Sequence, residues 1–195
     1  MSPRTLPVLA VAFALAMPAP AASGPLVAVV PPLHMVAASR AAAVPVAVAP
    51  VPAVLRPVER WLPLIRSTSA AEGLPWRMVA ALVLVESGGD PSAVSPAGAV
   101  GLAQVEPRTA AAEGFFGLLD PQVNLMAATA YLAHLGRLYG VTAGCWQEGT
   151  AAGGACGRAI DEVLSAYNAG PRGGYQGTYV RRVRSDWVAV EGMAA

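Results

Sequence analysis

A single carboxylate after an apolar run is the feature of this sequence best suited to chemistry. Glu86 follows the stretch 74–85, LPWRMVAALVLV, and precedes a loop rich in glycine. Burial raises the pKa of a carboxyl group, and the C-terminal end of its own helix acts in the same direction. We therefore interpret Glu86 as a general acid that stays protonated near neutral pH. The alternative is a surface Glu on the polar side of the helix.

The loop after Glu86 contributes three further candidates. Ser87 can hydrogen-bond the loop or the Glu86 carboxyl, and Gly101 allows the backbone to approach a ligand closely. Gln104 offers both a donor and an acceptor for sugar hydroxyls and amides. Each of these residue types is also common at helix ends or surfaces, so the combination carries the prediction.

A Tyr-Asn pair ends a later helix of the predicted fold. Tyr167 lies on the apolar face of that helix, where packing in the core is the simplest interpretation. A buried hydroxyl still needs a partner, and a carboxyl group is a good one. Asn168 either caps the helix or contacts a ligand.

Ordinary glycosidases need a second carboxylate on the other side of the scissile bond. The candidates are Asp90, Glu106, Glu113 and Asp120. Asp90 and Glu106 each precede a proline, and Asp120 fits a helix N-cap, so we assign structural roles to these three. A site with one carboxylate favours an intramolecular or substrate-assisted route over simple hydrolysis.

Helices must position these residues. Apolar side chains at helical spacing, with Gly and Pro at the boundaries, predict helices over 58–71, 75–87, 107–113, 121–139, 159–168 and 178–188. The segment 90–104 carries Pro, Ser and Gly at the density of turns, which predicts a loop or short hairpin. The sequence therefore predicts a mainly helical domain with a small excursion after its central helix.

The N-terminal part has the pattern of an exported protein. Arg4, the apolar run 6–17 and small residues after it are typical of a secretory signal peptide, predicted at residues 1–22. The apolar run is too short for a permanent membrane anchor, so a periplasmic or exported location is expected. Residues 23–56, rich in Ala, Val and Pro, are predicted to form a disordered leader before a domain at 57–190.

The two cysteines agree with export. Cys145 and Cys156 bound a Gly-rich segment, and a local disulfide is the expected pairing. A metal site built on them lacks a neighbouring His, so no metal is expected, and no organic cofactor is indicated. The net charge of +1 gives no reason to expect a nucleic-acid partner.

Four segments in this order resemble the catalytic domain of soluble lytic transglycosylases, which have a goose-lysozyme-like fold. They are ESGGDPSAVSPAGAVGLAQVEPRTA, DPQVNLMAATAYLAHL, LSAYNAGP and YVRRV, within residues 74–183. The resemblance implies a mainly α (α+β, lysozyme-like) single domain. It also implies cleavage of the β-1,4 bond between N-acetylmuramic acid and N-acetylglucosamine in peptidoglycan, with formation of 1,6-anhydromuramoyl ends.

The resemblance also implies roles for individual residues. Glu86 takes the position of the acid and base, and Tyr167 that of the residue holding it. Gln104 and Asn168 take positions that contact substrate, and Ser87 matches a further site position. Ala103 stands where the family usually has a Met lining the sugar groove, so altered substrate contact is expected there.

Other functions stay open beside this one. They are a hydrolytic muramidase on the same fold, a non-catalytic wall-binding or assembly protein, and a small enzyme that opens the wall for a secretion or conjugation apparatus. A monomer is expected. A basic set near the C-terminus forms a solvated helix face or attracts the carboxylates of peptidoglycan: Arg172, Arg181, Arg182 and Arg184.

Overall fold

The computed structural model describes residues 51–192, which form a mainly helical domain, as predicted. The predicted signal peptide and most of the predicted leader lie outside this range. The α-helices of the described part are α1 (Leu62–Ala71), α2 (Trp76–Ser87), α3 (Pro107–Ala112), α4 (Pro121–Leu138), α5 (Ala143–Glu148), α6 (Gly154–Ala169) and α7 (Gly177–Glu191). Two 3₁₀ helices, Ala53–Trp61 and Gly149–Ala151, accompany them.

Helix α2 lies at the centre of the domain. It begins after Pro75 and ends at Gly88, whose φ of 61° is left-handed and therefore suits glycine. Its buried side chains run from Met78 to Val83 without a polar break, and α7 packs against it more extensively than any other helix does. Because α2 is covered by its neighbours, the carboxylate near its C-terminal end starts from the buried centre of the domain.

The start of the folded domain differs from the prediction. Residues 53–56 were expected in the leader, but they belong to the 3₁₀ helix Ala53–Trp61. Leu55 and Val58 of this helix are buried against the core. An Ala, Val and Pro composition does not reveal which part of such a segment packs, since packing depends on the surface it meets.

The segment from Cys145 to Cys156 contains more helix than its glycines suggested. Thr142 caps α5 by accepting a hydrogen bond from the Cys145 N–H at 3.3 Å. The two cysteines form the expected disulfide. Helix α6 begins at Gly154, earlier than predicted, because Gly-rich composition hides a helix start that the disulfide and packing stabilise.

The excursion after α2 is a compact loop held by isolated bridges. Val100 pairs with Val94 on one side and with Val105 on the other, in antiparallel fashion, and residues 51–192 contain no longer strand. The same range contains no helix long and apolar enough to cross a membrane. It also contains no group of three or more His, Cys, Asp or Glu side chains arranged to hold a metal ion.

Candidate active site

An open cleft of about 340 Å³ lies where the end of α2 meets the loop, α4 and the end of α6. Polar and small side chains dominate its walls, which suits a hydrated ligand such as a sugar chain. Its lining residues are Glu86, Ser95, Ala97, Ala99, Gln104, Val105, Glu106, Thr109, Tyr131, Tyr167, Asn168, Ala169 and Gly170.

Glu86 is a carboxyl group that burial separates from much of the surrounding water. It lies in the last turn of α2, partly buried, and its Oε1 accepts a hydrogen bond from the Tyr179 hydroxyl at 2.5 Å. Burial raises the pKa of Glu86 from 4.5 to about 7, against the opposing effects of the Tyr179 hydrogen bond and the positive charge of Arg182. A carboxyl with this pKa can both donate and accept a proton near neutral pH.

The tyrosine that holds Glu86 is Tyr179 and not Tyr167, which corrects the prediction. The Tyr167 hydroxyl donates to the Ala103 carbonyl at 2.8 Å, so this residue ties α6 to the loop. Its ring packs against that of Tyr131, with the ring centroids 5.7 Å apart, and both rings line the cleft. The packing of α7 on α2 brings Tyr179 to the carboxylate.

Ser87 and Gly101 support the loop and do not line the cleft. Ser87 Oγ donates to the Leu102 carbonyl at 2.7 Å and accepts from the Gly89 N–H at 3.1 Å. Gly101 has a φ of 79°, and a Cβ there would lie 2.4 Å from Asn124 Nδ2. The glycine is therefore required for close packing within the protein, and its predicted proximity to a ligand is wrong.

Gln104 and Asn168 do line the cleft, together with Tyr167. Gln104 has a φ of 48°, a conformation that costs a residue with a side chain about 1 kcal/mol. Its Nε2 donates to the carbonyls of Ala93 and Gly101, each at 3.0 Å. These two bonds fix the side-chain amide and hold the loop backbone in this conformation. Asn168 is exposed there.

Asn124 is a structural residue of the site that the sequence analysis missed. It is fully buried on α4, where its Nδ2 donates to the carbonyls of Val100 at 2.8 Å and Leu118 at 3.1 Å. Its Oδ1 accepts from the Ala103 N–H at 2.9 Å. The signal was present, since Asn124 lies inside the quoted segment DPQVNL, but a single Asn in a helix carries no sign of its burial.

Ala103 is completely buried and does not line the cleft. Because the short Ala103 side chain does not reach the cleft, altered substrate contact at this position stays a prediction. Its backbone is what matters here, because the N–H binds Asn124 and the carbonyl binds Tyr167. Ser95 is a cleft residue that the sequence analysis did not single out, and its Oγ accepts from the Ala99 N–H at 3.0 Å.

Three of the four candidate second carboxylates have structural partners. Asp120 Oδ1 caps α4 by accepting from the N–H groups of Gln122 and Val123. Asp90 Oδ1 accepts from the backbone and hydroxyl of Ser92, and these bonds lower the pKa of Asp90. Glu113 Oε1 lies 3.0 Å from His134 Nδ1.

Glu106 is the exception, and the structural role predicted for it is wrong. It occupies the N-cap position of α3, but its side chain makes no capping hydrogen bond. It lines the same cleft as Glu86. The cleft therefore contains two carboxyl groups.

The C-terminal arginines do not act as one basic face. Arg182 is close enough to Glu86 to lower its pKa. Arg184 instead pairs with Asp161 at 2.8 Å and donates to the Gly157 carbonyl at 3.0 Å. Arg181 donates to Thr178 at 3.1 Å. Successive residues of a helix point in different directions, which divides the cluster.

Comparison with known proteins decides the family. The family model for the transglycosylase SLT domain matches residues 63–181, more than half of the chain. The chain belongs to the transglycosylase SLT domain family. The matched SLT region contains every cleft-lining residue and Tyr179.

Two curated relatives of this SLT chain are each named endo-type membrane-bound lytic murein transglycosylase A. The protein from Cronobacter sakazakii is 39% identical over 103 residues, which cover 45% of this chain and 51% of the relative. The protein from Klebsiella pneumoniae is 36% identical over 93 residues, which cover 40% of this chain and 46% of the relative. The chain spans about half the length of the curated relatives it matches.

Solved structures similar to the SLT chain come from larger proteins. The 70 kDa soluble lytic transglycosylase of Escherichia coli is 25% identical, with a TM-score of 0.43 over 67% of this chain and 18% of its own. An inactive mutant of lytic transglycosylase Slt from Pseudomonas aeruginosa is 21% identical, with a TM-score of 0.46 over 72% of this chain and 22% of its own.

Proposed function

We propose that this protein is a peptidoglycan lytic transglycosylase. It cleaves the β-1,4 bond between N-acetylmuramic acid and N-acetylglucosamine and leaves 1,6-anhydromuramoyl ends. The observation that carries the proposal is Glu86, a partly buried carboxyl with a pKa of about 7 that lines an open cleft in an SLT domain. The names of the curated relatives support the same activity.

The reaction needs one group that first gives and then takes a proton. Protonated Glu86 donates its proton to the glycosidic oxygen as the bond from that oxygen to the anomeric carbon breaks. The 6-hydroxyl of the muramoyl residue then attacks the anomeric carbon and gives its proton to the Glu86 carboxylate. The bond that forms closes the anhydro ring, and Glu86 returns to its starting state without water.

Neighbouring residues make Glu86 suitable for both steps. Desolvation favours the protonated form that the first step requires. The Tyr179 hydrogen bond and the charge of Arg182 stabilise the carboxylate that remains after proton transfer. Gln104 and Asn168 contact the sugar through their amides, and Tyr131 lines the same cleft.

The setting of the enzyme is part of the proposal. Residues 1–22 direct export to the periplasm or beyond, residues 23–52 act as a spacer that can dock an envelope partner, and the domain acts as a monomer. The disulfide between Cys145 and Cys156 supports an oxidising compartment.

The test is digestion of purified sacculi with the mature protein and with Glu86→Gln, followed by mass spectrometry of the soluble muropeptides. Glu72→Gln, which changes an exposed carboxylate, is the matched control. Anhydromuramoyl ends are expected from the wild type and the control, with a loss of at least about a hundredfold in Glu86→Gln.

Two results would overturn the proposal. Products with reducing ends alone would identify a hydrolytic muramidase. An absence of products from the folded wild type would favour a wall-binding or assembly protein. Circular dichroism of each variant shows whether a loss of activity reflects a loss of fold.

A further inference from the structure

Glu106 is a carboxylate without a structural partner in the described part of the chain. Its position precedes Pro107 at the start of α3, yet it does not cap that helix. The ion pairs found within residues 51–192 are His134–Glu113 and Arg184–Asp161, so Glu106 is in neither. A charged side chain in a cleft without a protein partner is available to a ligand or to water.

The two cleft carboxylates come from different elements. Glu86 is near the end of α2 and is held by Tyr179 of α7. Glu106 follows the loop and lies near Tyr131 of α4. Burial of Tyr131 is the main cause that raises its pKa, and the negative charge of Glu106 is the next. The two carboxylates therefore enter one cleft from different elements.

A pair of carboxylates from different elements of one cleft is the arrangement that simple glycoside hydrolysis uses. One carboxyl protonates the leaving oxygen, and the other activates water on the opposite face of the sugar. In enzymes of this kind the two carboxyl groups are typically about 6.5–9.5 Å apart. The cleft of about 340 Å³ is open, so water can enter beside a bound sugar.

We infer that Glu106 is a second catalytic carboxylate that activates water in this cleft and diverts part of the turnover to hydrolysis. The inference rests on the proposed function, because it concerns the fate of the same glycosyl group. Glu86 gives its proton to the glycosidic oxygen as the glycosidic bond breaks. The water oxygen bonds to the anomeric carbon, and a water proton passes to Glu106. The protein therefore yields reducing ends together with anhydro ends.

The experiment counts both kinds of end in one digestion. Sacculi are digested in heavy-oxygen water by the wild type, Glu106→Gln and Glu113→Gln, and the muropeptides are identified by mass spectrometry. Hydrolysis places heavy oxygen at the anomeric carbon, whereas an anhydro end gains none. Glu113→Gln is the matched control, because Glu113 follows the other end of α3 and does not line the cleft.

The expected result is heavy-oxygen reducing ends from the wild type, with their ratio to anhydro ends about tenfold or more lower in Glu106→Gln. The control keeps the wild-type ratio. Glu106→Asp, which retains a shorter carboxylate, recovers part of the ratio. Because Glu106 is exposed, circular dichroism is expected to show an intact fold.

The outcomes separate this inference from the proposed function. Anhydro ends alone from the wild type would overturn the inference and leave the transglycosylase. An unchanged ratio in Glu106→Gln would also overturn it. Reducing ends alone that depend on Glu106 would uphold the inference and overturn the transglycosylase. No products from any protein would overturn both.

Discussion

The Tyr179 hydroxyl donates a hydrogen bond of 2.5 Å to Glu86 Oε1, although 93 positions separate the two residues in sequence. The bond joins α7 to the end of α2 at the cleft. It stabilises the charged form of a carboxyl that burial otherwise keeps protonated. Burial therefore raises the pKa of Glu86, and the Tyr179 hydrogen bond partly opposes that shift.

Tyr179→Phe should weaken activity and move its pH dependence. Loss of the hydrogen bond raises the pKa of Glu86 further, so the decline of activity at high pH should occur at a higher pH than in the wild type. A hydrogen bond to a charged group contributes about 1.5–3 kcal/mol of stabilisation. Its loss therefore predicts a decrease in kcat/KM of about tenfold to a hundredfold. The measurement is a pH profile of kcat/KM on soluble glycan strands.

Tyr167→Phe is the matched control for that profile. Its hydroxyl binds Ala103 and not Glu86, so the alkaline limb should stay where it is in the wild type. If the alkaline limb of the pH profile moves in Tyr167→Phe but not in Tyr179→Phe, the assignment of the hydrogen bond between Tyr179 and Glu86 is contradicted.

Glu86→Gln should increase stability at high pH. The pKa of Glu86 is about 7 in the folded protein, above its ordinary value of 4.5, so the folded state favours the protonated form. The wild type therefore loses stability as pH rises from about 4.5 to 7, and the variant does not lose this contribution. At about pH 8 the free energy of unfolding should be about 1–3 kcal/mol larger in the variant.

Urea unfolding of both proteins at about pH 4 and about pH 8 measures this difference. All other titrations are shared, so they cancel when the two proteins are compared at the same pH. Glu72→Gln, on an exposed residue, should show no such pH-dependent gain. A Glu86→Gln variant with the same stability advantage at both pH values would be inconsistent with a raised pKa.

Asn124→Ala should destabilise the domain and loosen the loop. The variant leaves the Ala103 N–H and the carbonyls of Val100 and Leu118 without their buried partner. Buried unpaired groups predict a loss of about 2–4 kcal/mol in the free energy of unfolding. Chemical denaturation measures the loss.

Asn168→Ala provides the comparison, because Asn168 is exposed and should change stability by no more than about 0.5 kcal/mol. Equal stabilities of the two variants would refute the role of Asn124 as the residue that holds the loop.

Local patterns in the sequence were enough to locate much of this protein. The apolar run before Glu86 predicts the central helix, and the Asp120-Pro121 pair predicts the start of α4, because caps and helical spacing depend on near neighbours. The four ordered segments predict the SLT family, which the family model confirms. The disulfide between Cys145 and Cys156 also follows from composition and spacing.

Only the tertiary structure decided which side chains are hydrogen-bond partners and which face the cleft. It assigned Tyr179 to Glu86 and Tyr167 to Ala103, buried Asn124 beneath the loop, and left Glu106 facing the cleft. A sequence shows that a hydroxyl or carboxylate is present, but its partner depends on how distant helices pack. The packing of α7 on α2 is a long-range contact that no local pattern encodes, and it places the Tyr179 hydroxyl beside Glu86.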